Sequence, residues 1–257
     1  MNNKTAKQIV AAYKLMRALI ILGYVAALAI LTLIMTKNIL LGIAGVVVLA
    51  LSVRMPFDKL REKYIESVIY EDLDPEKFGE ILELGLFKKS THARILYLMS
   101  SGKHNEILEL VEKTDSKTFH PLEKCNNLYR TGYIYFERGE YDKLSSLVKK
   151  YEQLKKENPK LVYMLNNFSV FDKFDAFADD DFEYVIDVCD IDLKEISPKK
   201  QNYKLTKINV SFYRAVSLYK LGRFEEARSG FEELIAYAPK MYKAKLAKDF
   251  IDLIDKK

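Results

Sequence analysis

In YKLGRFEEARSGFEELIAYAP, residues 219–239, a glycine interrupts an otherwise helical pattern. Gly222 is followed by Phe224, then Ala227, then Phe231. The spacing suits a reversal between two antiparallel helices. Glycine tolerates the left-handed backbone that ends the first helix. The ring opens the second helix and packs back on the first. The small alanine lets the two axes approach, and Phe231 falls one turn further along the same face.

The same arrangement recurs three times upstream. Gly102, His104, Ile107 and Val111 form one set, and Gly139, Tyr141, Leu144 and Val148 a second. Asp180, Phe182, Val185 and Cys189 form the third, with aspartate replacing glycine; a short polar side chain also tolerates the left-handed conformation. The breaks lie 37, 41 and 42 residues apart, which marks an internal repeat. No segment alternates with period two between turn signals, so no sheet is expected. Asp74-Pro75 reads as a helix start, and Pro121, Pro198 and Pro239 fall where helices begin or have just ended.

The pattern resembles the tetratricopeptide repeat. Gly222, Phe224, Ala227, Phe231 and Pro239 match that family's glycine, aromatic, alanine, aromatic and closing proline, and Ala215 its small first-helix position. Gly132, Tyr135, Gly139 and Tyr141 match in the second unit. The family's first-helix tryptophan is missing, because the chain has no Trp, and the repeat exceeds the usual ~34 residues. The resemblance covers roughly residues 88–257. It implies an irregular array of helical hairpins whose first helices line a groove for a peptide or a partner's helix. The groove positions it implies are Asn126, Tyr129, Arg130 and Tyr133 in the second unit. They are Asn167, Phe171 and Phe174 in the third, and Asn209, Phe212 and Tyr213 in the fourth. Amides can bond a peptide backbone as donor and acceptor, and Tyr and Arg are common binding anchors. Rings at helical spacing also suit plain packing, so both roles stay open.

The N-terminal part is of another kind. Ala18 to Met35 carries no charge; as a helix it spans about 27 Å, close to a bilayer's hydrocarbon core. Thr36, Lys37 and Asn38 follow, and then Ile39 to Val53 is apolar again, about 22 Å long. Residues 18–53 are expected to form a transmembrane hairpin. Gly23 with Ala27, and Gly42 with Gly45, suit close helix packing within it, or a self-association face that would make a homo-oligomer. Lys4, Lys7, Lys14 and Arg17 precede the first run, and Arg54, Lys59, Arg61 and Lys63 follow the second. The positive-inside rule then places both termini in the cytoplasm. Residues 1–17 become a basic cytoplasmic segment, and 54–87 juxtamembrane helices. Three alternatives are a cleaved signal peptide, a buried soluble hairpin, and one span followed by an interfacial helix.

Residues 1–63 hold nine Lys or Arg against two acids; the remainder holds 32 against 34. The basic excess therefore flanks the apolar runs, where it suits anionic headgroups. A near-neutral array argues against nucleic acid as the main ligand. Asp172 to Glu195 is rich in acids, but lacks the central glycine of a calcium loop. It suits a solvated face or a basic partner. Cys125 and Cys189 form no CxxC, and the three histidines match no zinc-ligand spacing. No phosphate-binding glycine loop, HExxH or GxSxG is present, and no cofactor or metal is expected. Lysine-, isoleucine- and asparagine-rich usage suits an AT-rich bacterial genome.

The expectation is an all-α protein: a two-helix membrane hairpin in the bacterial inner or plasma membrane, then a helical array that binds a protein or peptide. A membrane-bound enzyme with an unfamiliar site, and a self-associating structural subunit, are the alternatives.

Overall fold

The computed structural model describes residues 4–52, 54–87, 90–115, 120–161 and 170–257. Among the described residues every regular element is helical. The chain forms two compact units, Met1–Arg94 and Ile95–Lys257.

The first unit contains α1 (Ala6–Met35), α2 (Ile39–Ser52), α3 (Arg54–Arg61), a π-helical turn (Glu62–Glu66), α4 (Ser67–Tyr70) and α5 (Pro75–Glu83). α1 begins well before its apolar run. Thr5 caps it: its hydroxyl accepts from the Gln8 amide, and the Gln8 side chain accepts from the Thr5 amide. The first turns of α1 are part of a core. Ile9, Val10 and Tyr13 are buried, as are Leu60, Ile65, Val68, Ile69, Phe78 and Ile81. α1 contacts α3 and α5, and Tyr13 meets Phe87 edge-on at 6.1 Å. Asp74 caps α5 by accepting from the Lys77 amide at 3.0 Å, and Pro75 is the first helical residue.

Beyond this core the side chains of α1 and α2 face outward. Leu22 is 63 % exposed, Leu33 68 % and Leu51 80 %. A narrow seam joins the two helices: Gly42 lies against Met35, Gly45 against Leu31, and the Tyr24 hydroxyl donates to the Ser52 carbonyl at 3.0 Å. Gly23 faces open space, so the pairing rests on α2's glycines and not on Gly23. Two stretches, Ala6–Met35 and Ile39–Tyr70, are long and apolar enough to cross a membrane.

The second unit is a run of helical hairpins. α6 (Thr91–Ser100), which begins just before the unit boundary, precedes α7 (His104–Asp115); α8 (Pro121–Glu137) precedes α9 (Asp142–Glu157). α10 (Val170–Ala178) precedes α11 (Phe182–Glu195), α12 (Tyr203–Lys220) precedes α13 (Phe224–Tyr237), and α14 (Tyr242–Ile254) ends the chain. All four break residues are left-handed, with φ of 69° at Gly102, 70° at Gly139, 57° at Asp180 and 76° at Gly222. Each is followed by one backbone bond of the same type, from the next amide to the carbonyl five residues back. The pairs are Lys103 to Leu98, Glu140 to Tyr135, Asp181 to Ala176 and Arg223 to Leu218. This is the Schellman closure, which satisfies carbonyls that a helix end leaves orphaned. Ile107, Leu144, Val185 and Ala227, five residues past each break, are fully buried. Cys125 and Cys189 are fully buried too, and burial pushes both thiols up to about 12. A thiol held that high stays protonated at neutral pH, which disfavours nucleophilic chemistry.

Candidate partner-binding site

The joints fix which face of each first helix turns inward. On α8, α10 and α12 that face is aromatic. Phe136 lies 4.7 Å from Phe177 and 4.4 Å from Tyr213, and Phe171 stacks on Tyr151 at 4.0 Å. Gly132 sits against Phe174, where an added Cβ would come within 2.5 Å of the ring.

The positions carried over from the repeat family divide in two. Tyr133, Phe171, Phe174, Phe212 and Tyr213 are buried. Asn126, Tyr129, Arg130 and Asn209 are partly exposed. Asn167 lies outside the described residues. Arg130 bonds Glu123 at 2.9 Å and the Asn127 side chain at 2.8 Å, so its guanidinium is already held along α8. Tyr129 lies 6.2 Å from Tyr133, and burial drives its hydroxyl up to about 12.

What covers the buried rings is the chain itself. Lys243, in the first turn of α14, is 2 % exposed. Its ammonium lies 4.3 Å from the centre of the Tyr133 ring, 4.5 Å from Phe212 and 5.7 Å from Tyr213. It donates to Glu137 Oε1 at 2.7 Å, and His104 Nε2 donates to Glu137 Oε2 at 2.7 Å. The Glu137 side chain has no exposed surface. Burial alone would raise its pKa, but the Lys243 charge and the two donors outweigh that and hold the carboxyl below its usual range. Tyr242 packs edge-on against His104 at 5.3 Å and lies over Gly102, where any side chain would collide with its ring. The start of the last helix is thus tied to the first joint and to α8. Successive solenoid repeats ordinarily touch only their neighbours. The Tyr213 hydroxyl, also buried here, has no hydrogen-bond partner among the described residues.

Nothing in the sequence pointed to Lys243. The pairing with Glu137 spans 106 residues.

A second concavity of about 630 Å³ opens between α11, α12 and α13, where Gly230, Ala215 and Ala236 leave room. Lys207 and Arg214 line it; the first lies over the Tyr237 ring and the second pairs with Asp190 at 2.6 Å. The acidic segment is partly consumed by such pairs, since Asp192 also binds the buried Lys173 at 2.7 Å. Asp172, Asp187 and Glu195 remain exposed. Among the described residues no group of three or more His, Cys, Asp or Glu is placed to hold a metal ion.

A family model for the tetratricopeptide repeat matches residues 210–240, the second half of α12 and all of α13. No curated protein and no solved structure shows significant similarity to the chain. The chain is a tetratricopeptide-like helical array preceded by two apolar helices.

Proposed function

We propose that this protein is a membrane-anchored interaction module. Residues 18–53 would cross the bilayer twice, and the array would recruit or scaffold a protein or peptide on the cytoplasmic side. One observation carries the reading: a hairpin bare of polar cover is joined to helical hairpins of a type that commonly binds proteins. Within the first unit the start of α1 packs with α3 and α5. This supports a return of the chain to its starting side, against one span followed by an interfacial helix. The flanking bases Lys14, Arg17, Arg54 and Lys59 support a cytoplasmic placement and contact with anionic headgroups.

The accessible members of the inherited groove, Asn126, Tyr129 and Asn209, are the positions from which to seek the partner. A photo-crosslinking residue at Asn126 or Asn209 should trap one discrete membrane-fraction product in cells. The same residue at the exposed Glu112 serves as control. Identical products from all three positions, or none from any, would contradict a specific partner on this face.

A further inference from the structure

Deepening that proposal, and resting on it, we infer that α14 is a self-docked occupant of the array's inner face, and that the partner is a segment presenting a lysine. The cage is built for an ammonium. Tyr133, Phe212 and Tyr213 present ring faces to one point, and Glu137 supplies the counter-charge. His104 holds the other carboxylate oxygen, so Glu137 is oriented independently of its lysine. Three of these residues, Tyr133, Phe212 and Tyr213, are also the positions at which a repeat array of this type would meet a ligand. Lys243 therefore stands where a partner's side chain would stand.

A buried ion pair is weak ground for stability, since apolar residues of equal volume often serve as well. It gives specificity instead: an apolar side chain entering the cage would leave Glu137 buried without its cation. α14 has a second anchor, Phe250, stacked on Phe231 at 5.0 Å and edge-on to Tyr219 at 5.1 Å. That anchor belongs to the last hairpin and also meets the cage ring Phe212 edge-on, at 6.1 Å. The first turn of α14 can lift while its second half stays seated. Because the occupant is tethered, it competes at an effective concentration in the millimolar range. A partner must then bind elsewhere on the array as well, or arrive with a better-fitting lysine segment.

The test uses the full chain in detergent and a fluorescent peptide copying residues 239–254. Wild type should show no binding at micromolar peptide, because its own Lys243 fills the cage. Lys243→Met should bind the peptide at least about tenfold more tightly than wild type. Amide exchange at residues 242–247 should rise about tenfold in that variant while α12 and α13 keep theirs. A peptide with norleucine in place of its Lys243 equivalent should lose that binding. If Lys243→Met fails to fold, Tyr242→Ala loosens the same turn while keeping Tyr133, Phe212, Tyr213, Glu137 and His104 themselves, and should admit the peptide in the same lysine-dependent way. Equal binding of the lysine and norleucine peptides would overturn the inference. So would no binding to a folded, unlatched chain. The assay needs no natural partner, so its failure leaves the wider interaction role standing, and a missing cellular partner leaves the latch standing.

Discussion

α1–α2 and α12–α13 are both helical pairs joined by a tight turn, and they place their apolar side chains in opposite ways. In the first pair Leu22, Leu33, Val47 and Leu51 point outward, and the helices meet along a thin seam of Gly42, Gly45, Leu31 and Met35. In the second, Phe212, Val216, Leu218, Ala227, Phe231 and Leu234 are buried, and the exposed face carries Glu225, Glu226 and Glu232. The same hydrophobic effect would account for both if, as proposed, the first pair meets hydrocarbon and the second water. An uncovered apolar surface of the first kind is stable in hydrocarbon and a liability in water. The periodicity of polar residues, present in one pair and missing in the other, is the sequence difference on which the proposed spanning hairpin rests.

The comparison can be broken most severely in the hairpin. Leu28→Arg combined with Val47→Arg should release the protein from the membrane fraction, since each arginine near mid-bilayer costs about 3 kcal/mol. Fractionation with carbonate extraction measures this, and unchanged retention would mean that these faces do not meet lipid. In the array the sensitive change is loss of volume. Phe136→Ala removes the ring that touches Phe177, Phe212 and Tyr213, and should cost about 3–5 kcal/mol in denaturant unfolding. Leu22→Ala should leave the same transition in place.

The joints give a finer contrast. Gly222→Ala forces a Cβ into a left-handed site and should cost about 1–2 kcal/mol, whereas Asp180→Gly relieves the non-glycine member of the four repeat joints and should gain less than that. Thermal melting of the two variants should shift in opposite directions. The mildest expected effect is a pH dependence. Glu137 has a folded pKa below its unfolded one, so its contribution is complete above the ordinary carboxylate range of about 4.3. It is lost as pH falls through the lowered folded value. Melting temperature should decline on acidification, and Glu137→Gln should start lower and show a shallower acid decline.

The four joints were legible in the sequence because each is local. A left-handed residue, a ring two positions on and a buried side chain three further all lie within one turn and its flanks. The start of α1 carries a local signal too, the capping box Thr5-x-x-Gln8. The inner face was legible only in type. Tyr133, Phe212 and Tyr213 have the composition of an interface and of a core alike, and only the position of α14 shows that they are covered. That position depends on one contact between residues 106 apart, and no periodicity encodes it.

The central claim is that the bare hairpin crosses a bilayer and returns the array to the side of the N-terminus. Labelling with a membrane-impermeant maleimide tests it directly, because Cys125 and Cys189 are fully buried and contribute little background. Lys37→Cys, in the exposed turn between α1 and α2, should label on intact cells, and Lys257→Cys should label only after permeabilisation. Labelling of Lys257→Cys on intact cells, with or without Lys37→Cys, would contradict the account.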